Sequence, residues 1–138
     1  MTTSLPFPTP VPGPEGVEFW EGCKRGELLI QQCSQCGKLR YYPRPACNRC
    51  SSEEYSWHKA SGKATLYSWI VVHHPTLPVF KDRVPYAVIL VELDEGVRMI
   101  SNIVDCENED LRIGMPLEVT FDRINEDVTL PKFRPVGA

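Results

Sequence analysis

Apolar positions recur along this chain with two different periods. In residues 15–25 (EGVEFWEGCKR), Val17, Phe19, Trp20 and Cys23 fall at helical spacing on one broad stripe. Acidic residues lead that segment and basic residues close it, as the helix dipole favours. Gly26 supplies a stop, and ELLIQQC then reads as a strand. Past residue 60 the helical period disappears and four strand-like runs follow. Residues 64–72 (ATLYSWIVV) mix β-branched and aromatic side chains, and residues 86–93 (YAVILVEL) are almost wholly apolar, which predicts burial on both faces. A turn at Asp94-Glu95-Gly96 leads into residues 97–104, which alternate as a half-buried partner. Residues 117–124 alternate cleanly, with Leu117, Val119 and Phe121 expected to face inward. Gly114-Met115-Pro116 marks a corner. Short strands separated by turns predict a small closed barrel rather than a parallel sheet. No repeat, dinucleotide fingerprint or P-loop glycine pattern interrupts them.

Before the helix, Pro6, Pro8, Pro10, Pro12 and Pro14 alternate with other residues. Fixed φ and missing backbone donors make this segment extended and unfit for the middle of a sheet. It reads as a disordered tail, or as an arm lying on a partner through Leu5, Phe7 and Val11; the residues alone favour the tail. The adjacent Phe19 and Trp20 pose a similar choice between core and interface, because so small a body hides two large aromatics with difficulty.

Length narrows the architecture to one modest domain, or two small modules sharing a core, since the chain has 138 residues. A hydrophobic fraction of 42% with 24% charged residues is ordinary globular composition, which excludes wholesale disorder. Prolines outnumber glycines 13 to 9, against a bundle of long helices. The first positive side chain is Lys24, and no apolar run has signal-peptide or membrane-span length. A cytoplasmic location is therefore expected, where paired cysteines hold metal more often than they form disulfides.

The six cysteines then become informative. Cys33-Ser-Gln-Cys36 and Cys47-Asn-Arg-Cys50 are two C-x-x-C knuckles ten residues apart, with Gly37 directly after the first. Each knuckle can offer two thiolates from one tight turn, and four complete a tetrahedron. The intervening KLRYYPRPA reads as a strand and return that lets the knuckles meet. The predicted centre is a zinc ribbon on Cys33, Cys36, Cys47 and Cys50. Iron in a rubredoxin-like site is the competitor, because four cysteines alone do not separate the two. A redox dithiol would want a thioredoxin-like context, which is missing. Four protein ligands leave no open position, so the metal is structural. By analogy with zinc-finger peptides its binding is worth on the order of 10 kcal/mol to folding. Cys23 and Cys106 have no partner spacing and read as small buried hydrophobes.

Other chemistry is thinner. His73 and His74 close a strand and enter a proline-rich loop carrying Phe80, but no carboxylate or nucleophile stands at a telling spacing, and a structural role is favoured. Tyr41, Tyr42, Tyr67 and Trp69 invite base stacking on a barrel. The net charge of −3 and pI near 5.6 oppose that, because nucleic-acid binding needs a basic groove. Lys38, Arg40, Arg44 and Arg49 cluster around the ribbon. They would neutralise its thiolates or meet a single phosphate group, such as that of coenzyme A.

Taken together, FWEGCKRGELLIQQCSQCGKLRYYPRPACNRC, LYSWIVVHH, VPYAVILVEL, IGMPLEVTF and TLPKFRP resemble the DUF35 family over residues 14–135. The resemblance implies a mainly β protein: a helix and lead-in strand over 14–32, a rubredoxin-like zinc ribbon over 33–58, and a five-stranded OB-fold barrel over 59–138, preceded by the extended proline-rich arm over residues 1–13. Cys23 in the helix is a mild departure that leaves the metal set intact. The resemblance further implies a non-catalytic accessory subunit of a thiolase-superfamily complex acting on acyl-CoA thioesters. A retro-aldolase cleaving a β-hydroxyacyl-CoA, such as a steroid side-chain thioester, is the narrower expectation, with a lipid-transfer-protein-like aldolase as partner. Phe7, Phe19 and Trp20 would bind that partner, and Trp69, His73, Phe80 and Asn102 would border the substrate channel. The alternatives are a single-stranded nucleic-acid-binding protein and a stand-alone enzyme using His73 or His74.

Overall fold

The computed structural model describes residues 8–137. Leu5 and Phe7, expected on the arm, lie outside the described residues. The chain from residue 8 to Gly13 is irregular, and a 3-10 turn at Pro14–Gly16 feeds helix α1, Val17–Lys24. Phe19 and Cys23, four residues apart, form its buried face, while Glu21 and Lys24 pair at 3.3 Å on the outside. Gly26, at φ +78°, closes the helix, its amide donating to the Cys23 carbonyl at 3.1 Å. Gly22 lets the helix press on the next strand: a Cβ there would lie 2.8 Å from Leu29 Cδ1.

That strand is β1 (Leu29–Cys33), which sits between the two-residue β2 (Leu39–Arg40) and β3 (Tyr55–Lys59) in an antiparallel sheet ordered β2-β1-β3. The strand and return expected between the knuckles thus shrink to β2, and β3 supplies the longer partner. A second antiparallel sheet follows, ordered β6-β5-β4-β7-β8. Its members are β4 (Lys63–Val72), β5 (Tyr86–Leu93), β6 (Arg98–Ser101), β7 (Pro116–Arg123) and β8 (Thr129–Pro135). A register shift between Leu66 and Ser68 helps the sheet curl. A parallel bridge from Ile103 to Phe133 brings its two edges together, with the Phe133 amide donating to the Asn102 carbonyl at 3.1 Å and the Val104 amide to the Phe133 carbonyl at 2.8 Å. The result is the five-stranded OB barrel.

Strand β5 corrects one expectation. It is not buried on both faces: Ala87, Ile89, Val91 and Leu93 are buried, and the residues between them are only half-buried. No helix covers the outer face of an antiparallel barrel sheet, so its apolar side chains stay partly wet. Ile70 and Ile100 on β4 and β6 are 63% and 65% exposed. On β7, Leu117 is fully buried, whereas Val119 and Phe121 pack on the core while half-buried.

One core serves both sheets. Phe19, Cys23, Leu28 and Ile30 belong to the same buried cluster as Ile89, Val91, Leu117 and Phe133. Helix α1 makes this continuity by touching β1 on one side and β7 and β8 on the other. Phe19 therefore does not present a docking surface: it is 0% exposed, with rings of Trp20, Tyr41 and Tyr42 at 5.0, 5.6 and 5.9 Å. Two small sheets supply enough wall between them to hide it. Trp20 is half-buried, and its Nε1 donates to the Tyr42 hydroxyl at 2.7 Å. Cys23 behaves as core, its thiol pushed up to about 12 by burial, while Cys106 is only half-buried.

Candidate metal centre

Cys33 ends β1, so its side chain is placed by a strand and not by a free loop. The first knuckle closes when the Gly37 amide donates to the Cys33 carbonyl at 3.0 Å; in the second, Ser51 donates to Cys47 at 2.9 Å. The two turns are equivalent. In each, the residue after the second cysteine is left-handed, Gly37 at φ +77° and Ser51 at φ 67°. In each, a backbone amide also points at the first sulfur: Cys36 to Cys33 Sγ at 3.4 Å, and Arg49 to Cys47 Sγ at 3.3 Å.

All four sulfurs lie within 4.8 Å of one another, with Cys33–Cys50 at 3.5 Å and Cys36–Cys47 at 3.6 Å. A tetrahedron with zinc–sulfur bonds near 2.3 Å has edges of about 3.8 Å, so these residues fit a metal ion with little adjustment. The electrostatics agree. The Cys36 amide holds the Cys33 thiol down at about 6, and the amides of Cys50 and Arg49 lower Cys47. At Cys50 the Ser52 amide favours the thiolate, but crowding by Cys33, burial and the other two sulfurs push it up to about 11. Four thiols this close cannot all ionise without a cation between them, and a bound divalent ion supplies it. Among the described residues this is the one cluster of three or more potential ligands.

Beside the ribbon is a buried polar knot that sequence reading missed. The Gln31 side-chain oxygen accepts from Arg40 Nε at 2.6 Å and from the Arg44 amide at 2.8 Å, while an Arg40 Nη donates to the Arg44 carbonyl at 3.2 Å. Strand pairing aligns Gln31 with Arg40, which fixes the geometry. The signal available was a glutamine in a strand otherwise apolar enough to be core.

The four residues expected along a channel do not converge. Phe80 and Asn102 share one cavity of about 430 Å³ with Tyr86, Cys106 and Lys132. There the Asn102 amide donates to the Ala87 carbonyl at 2.8 Å, and the Phe80 and Tyr86 rings lie 5.7 Å apart. Trp69 instead pairs across the sheet with the buried Ile89 and packs half-buried against the core, at the margin of a separate apolar hollow lined by Ile70, Val88, Leu90 and Ile100. His73 and His74 are exposed, and neither makes a side-chain hydrogen bond or ion pair among the described residues. Among the described residues no helix is long and apolar enough to cross a membrane.

A four-cysteine metal ribbon sharing its core with an OB barrel defines a small scaffold class, and comparison with known proteins identifies it. Residues 20–56 match the rubredoxin-like zinc ribbon domain of ChsH2 and residues 57–122 match its C-terminal OB-fold domain. A DUF35 domain-containing scaffold protein of Methanocaldococcus jannaschii is 38% identical over 80% of this chain and 79% of its own length. The chain belongs to the DUF35 family. It is also 42% identical, over 85% of its length, to a probable enoyl-CoA hydratase alpha subunit of Thermomonospora curvata. A 3-oxo-4,17-pregnadiene-20-carboxyl-CoA hydratase alpha subunit of Mycobacterium tuberculosis is 38% identical over 75%. The chain spans only about a third of those subunits, 36% and 32% respectively. Among solved structures, a chain of an Ltp2-ChsH2(DUF35) aldolase superposes with a TM-score of 0.83 at 38% identity, covering 92% of this chain and 98% of that one.

Proposed function

We propose that the protein is a non-catalytic accessory subunit of a thiolase-superfamily complex acting on acyl-CoA thioesters. The observation that carries this reading is the match to nearly the whole of a chain in the Ltp2-ChsH2(DUF35) aldolase. The narrower reaction is a retro-aldol cleavage of a β-hydroxyacyl-CoA with a bulky, steroid-like acyl group, which the steroid-type name of one relative supports. The chain's own inventory suits a scaffold. Its metal centre has four protein ligands and no open position, so the ion organises the ribbon and polarises no substrate. Among the described residues the exposed His73 and His74 have no orienting partner of the kind general-base catalysis uses. Carbon–carbon cleavage then belongs to the thiolase-like subunit. Trp20 and the residues of the N-terminal arm contribute to docking, and the Phe80–Asn102 cavity borders the acyl-CoA path in a cytoplasmic complex.

Co-expression with a lipid-transfer-protein-like aldolase tests the reading. The two should co-purify as a hetero-oligomer, and lyase activity on the β-hydroxyacyl-CoA should need both. A chain that stays monomeric beside such partners, and binds single-stranded DNA with steep salt dependence, would overturn it. So would lyase activity of the chain alone that disappears in His73→Ala or His74→Ala. The ion in the centre is proposed to be zinc. Elemental analysis should give one zinc per chain, lost in Cys33→Ser; a stoichiometric iron content would assign the site to iron.

A further inference from the structure

Strand β4 is paired along one edge by β5, from Ala64 to Val72. On the opposite edge β7 reaches only Lys63–Thr65. One more pair of hydrogen bonds ends that contact: the Leu66 amide donates to the Met115 carbonyl at 3.0 Å, and the Gly114 amide donates to the Leu66 carbonyl at 2.8 Å. From Tyr67 to Val72 the edge has no strand and no backbone hydrogen bond among the described residues. Open edges invite another strand, and proteins blunt them with charge or proline. Other edges of this molecule are blunted in that way: β8 carries Pro131 and Pro135, and β3 ends in His58-Lys59. Residues 67–72, YSWIVV, contain no charge, proline or glycine. Their composition is that of a segment that adds to a neighbouring strand.

We infer that the Ser68–Val72 edge pairs antiparallel with the same edge of a second copy of this chain, joining two barrels through one continuous sheet. Past the shift at Tyr67 these residues keep an unbroken register with β5. Trp69 and Val71 share a face with the buried Ile89 and Ala87, while Ser68, Ile70 and Val72 lie on the outer face, where Ile70 is 63% exposed. Opposed side chains of an antiparallel pair stand on one face. A two-fold axis at Ile70 meets that condition: Ile70 faces Ile70, Ser68 faces Val72 and Trp69 faces Val71. A two-fold contact sets a segment against itself, so any charge in it would meet its like; a segment without charge suits a second copy. The paired stretch is about 17 Å long. It covers on the order of a few hundred Å², below the roughly 800 Å² per partner of a stable interface, so the dimer is reversible. None of this rests on the function proposed above.

Sedimentation equilibrium of the full, metal-loaded chain tests it. The mass should rise from 15.7 kDa toward twice that value as the concentration climbs from about 1 to about 500 µM. Ile70→Lys sets a charge on the edge and should keep the chain monomeric across that range with its Tm unchanged, because the side chain is exposed. Ile100→Lys, equally exposed on β6 but away from the edge, should dimerise as the parent does. In a Cys106→Ser background, Ile70→Cys should form a disulfide between copies under oxidised glutathione, and Ile100→Cys should not. A chain that stays monomeric at every concentration overturns the inference. A dimer that Ile70→Lys leaves intact, that Ile100→Lys breaks, or that Ile70→Cys fails to cross-link overturns it too, since the contact then lies elsewhere than the β4 edge. If the chain is monomeric alone and Ile70→Lys abolishes co-purification with the aldolase, the edge belongs to that partner and the second copy is ruled out.

Discussion

The two knuckle turns differ at one informative position. Gly37 and Ser51 occupy the same place, with φ of +77° and 67°, and close equivalent hydrogen bonds. A side-chain-bearing residue pays roughly 1–2 kcal/mol in the left-handed region. Glycine avoids that penalty but gains unfolded-state freedom worth roughly 0.5–1 kcal/mol. The Ser51 side chain makes no hydrogen bond among the described residues that would offset its strain. Ser51→Gly should therefore stabilise the protein by about 0.5–1 kcal/mol. A Cβ placed on Gly37 would meet nothing within 4 Å, so Gly37→Ala should cost a similar amount by conformation alone. Thermal unfolding of the metal-loaded protein reads the difference as a Tm change of roughly 2–4 °C in opposite directions. Metal release to a coloured chelator should slow in Ser51→Gly and quicken in Gly37→Ala. If Ser51→Gly lowers Tm, or Gly37→Ala is silent, the turns are not held by backbone preference and the argument fails.

Three other outcomes can be checked by routine measurement. Gln31→Leu removes the acceptor for Arg40 Nε and the Arg44 amide and should cost about 3 kcal/mol in urea unfolding; Gln31→Glu, which keeps both contacts and gives Arg40 a counter-charge, should cost clearly less. Phe133→Ala should cost about 3–5 kcal/mol, and hydrogen exchange should show the Val104 and Phe133 amides opening faster, because that residue fills the core at the barrel's closing bridge. Cys23 ionises near 9.0 when unfolded but only at about 12 when folded, so the unfolded chain sheds its proton first and stability falls as pH rises from 9 toward 12. Tyr41, pushed by burial from 10.0 to about 12, adds to the same slope. Between pH 9 and about 10.5 the Cys23 share is about 2 kcal/mol, and the Tm-versus-pH curve of Cys23→Ala should be flatter by that amount.

The sequence was most legible where one residue type leaves one physical solution. The four ribbon cysteines could be read outright, because their spacing matches a tetrahedral ion and little else. Helix α1 was legible from Val17, Phe19, Trp20 and Cys23, and β4 and β7 from their own residues. Two strands escaped notice in the residue pattern. In β3 the run Tyr55–Lys59 mixes aromatic and polar side chains on the outer side of a three-stranded sheet, so no alternation announces it. In β8 the run Thr129–Pro135 carries two prolines, which an edge strand tolerates and a pattern search penalises. Apolar content misled at β5, because a continuous run cannot report that one face of the barrel is left open. The fate of Phe19 and the scatter of Trp69 and His73 away from Phe80 and Asn102 depend on how the two sheets meet, which no local window encodes.

Helix α1 leaves the ribosome well before β7 and β8, the two strands that cover much of its apolar face. During synthesis Phe19 must stay unsatisfied until those two strands have emerged, while the ribbon can already take up its ion. The nascent chain thus carries a metal-stapled fragment with an open hydrophobic socket, a species prone to misassociation. Deleting the β8 residues would make that transient state permanent. Yield in cells should consequently depend on metal supply before β7 and β8 emerge and on an intact β8 thereafter.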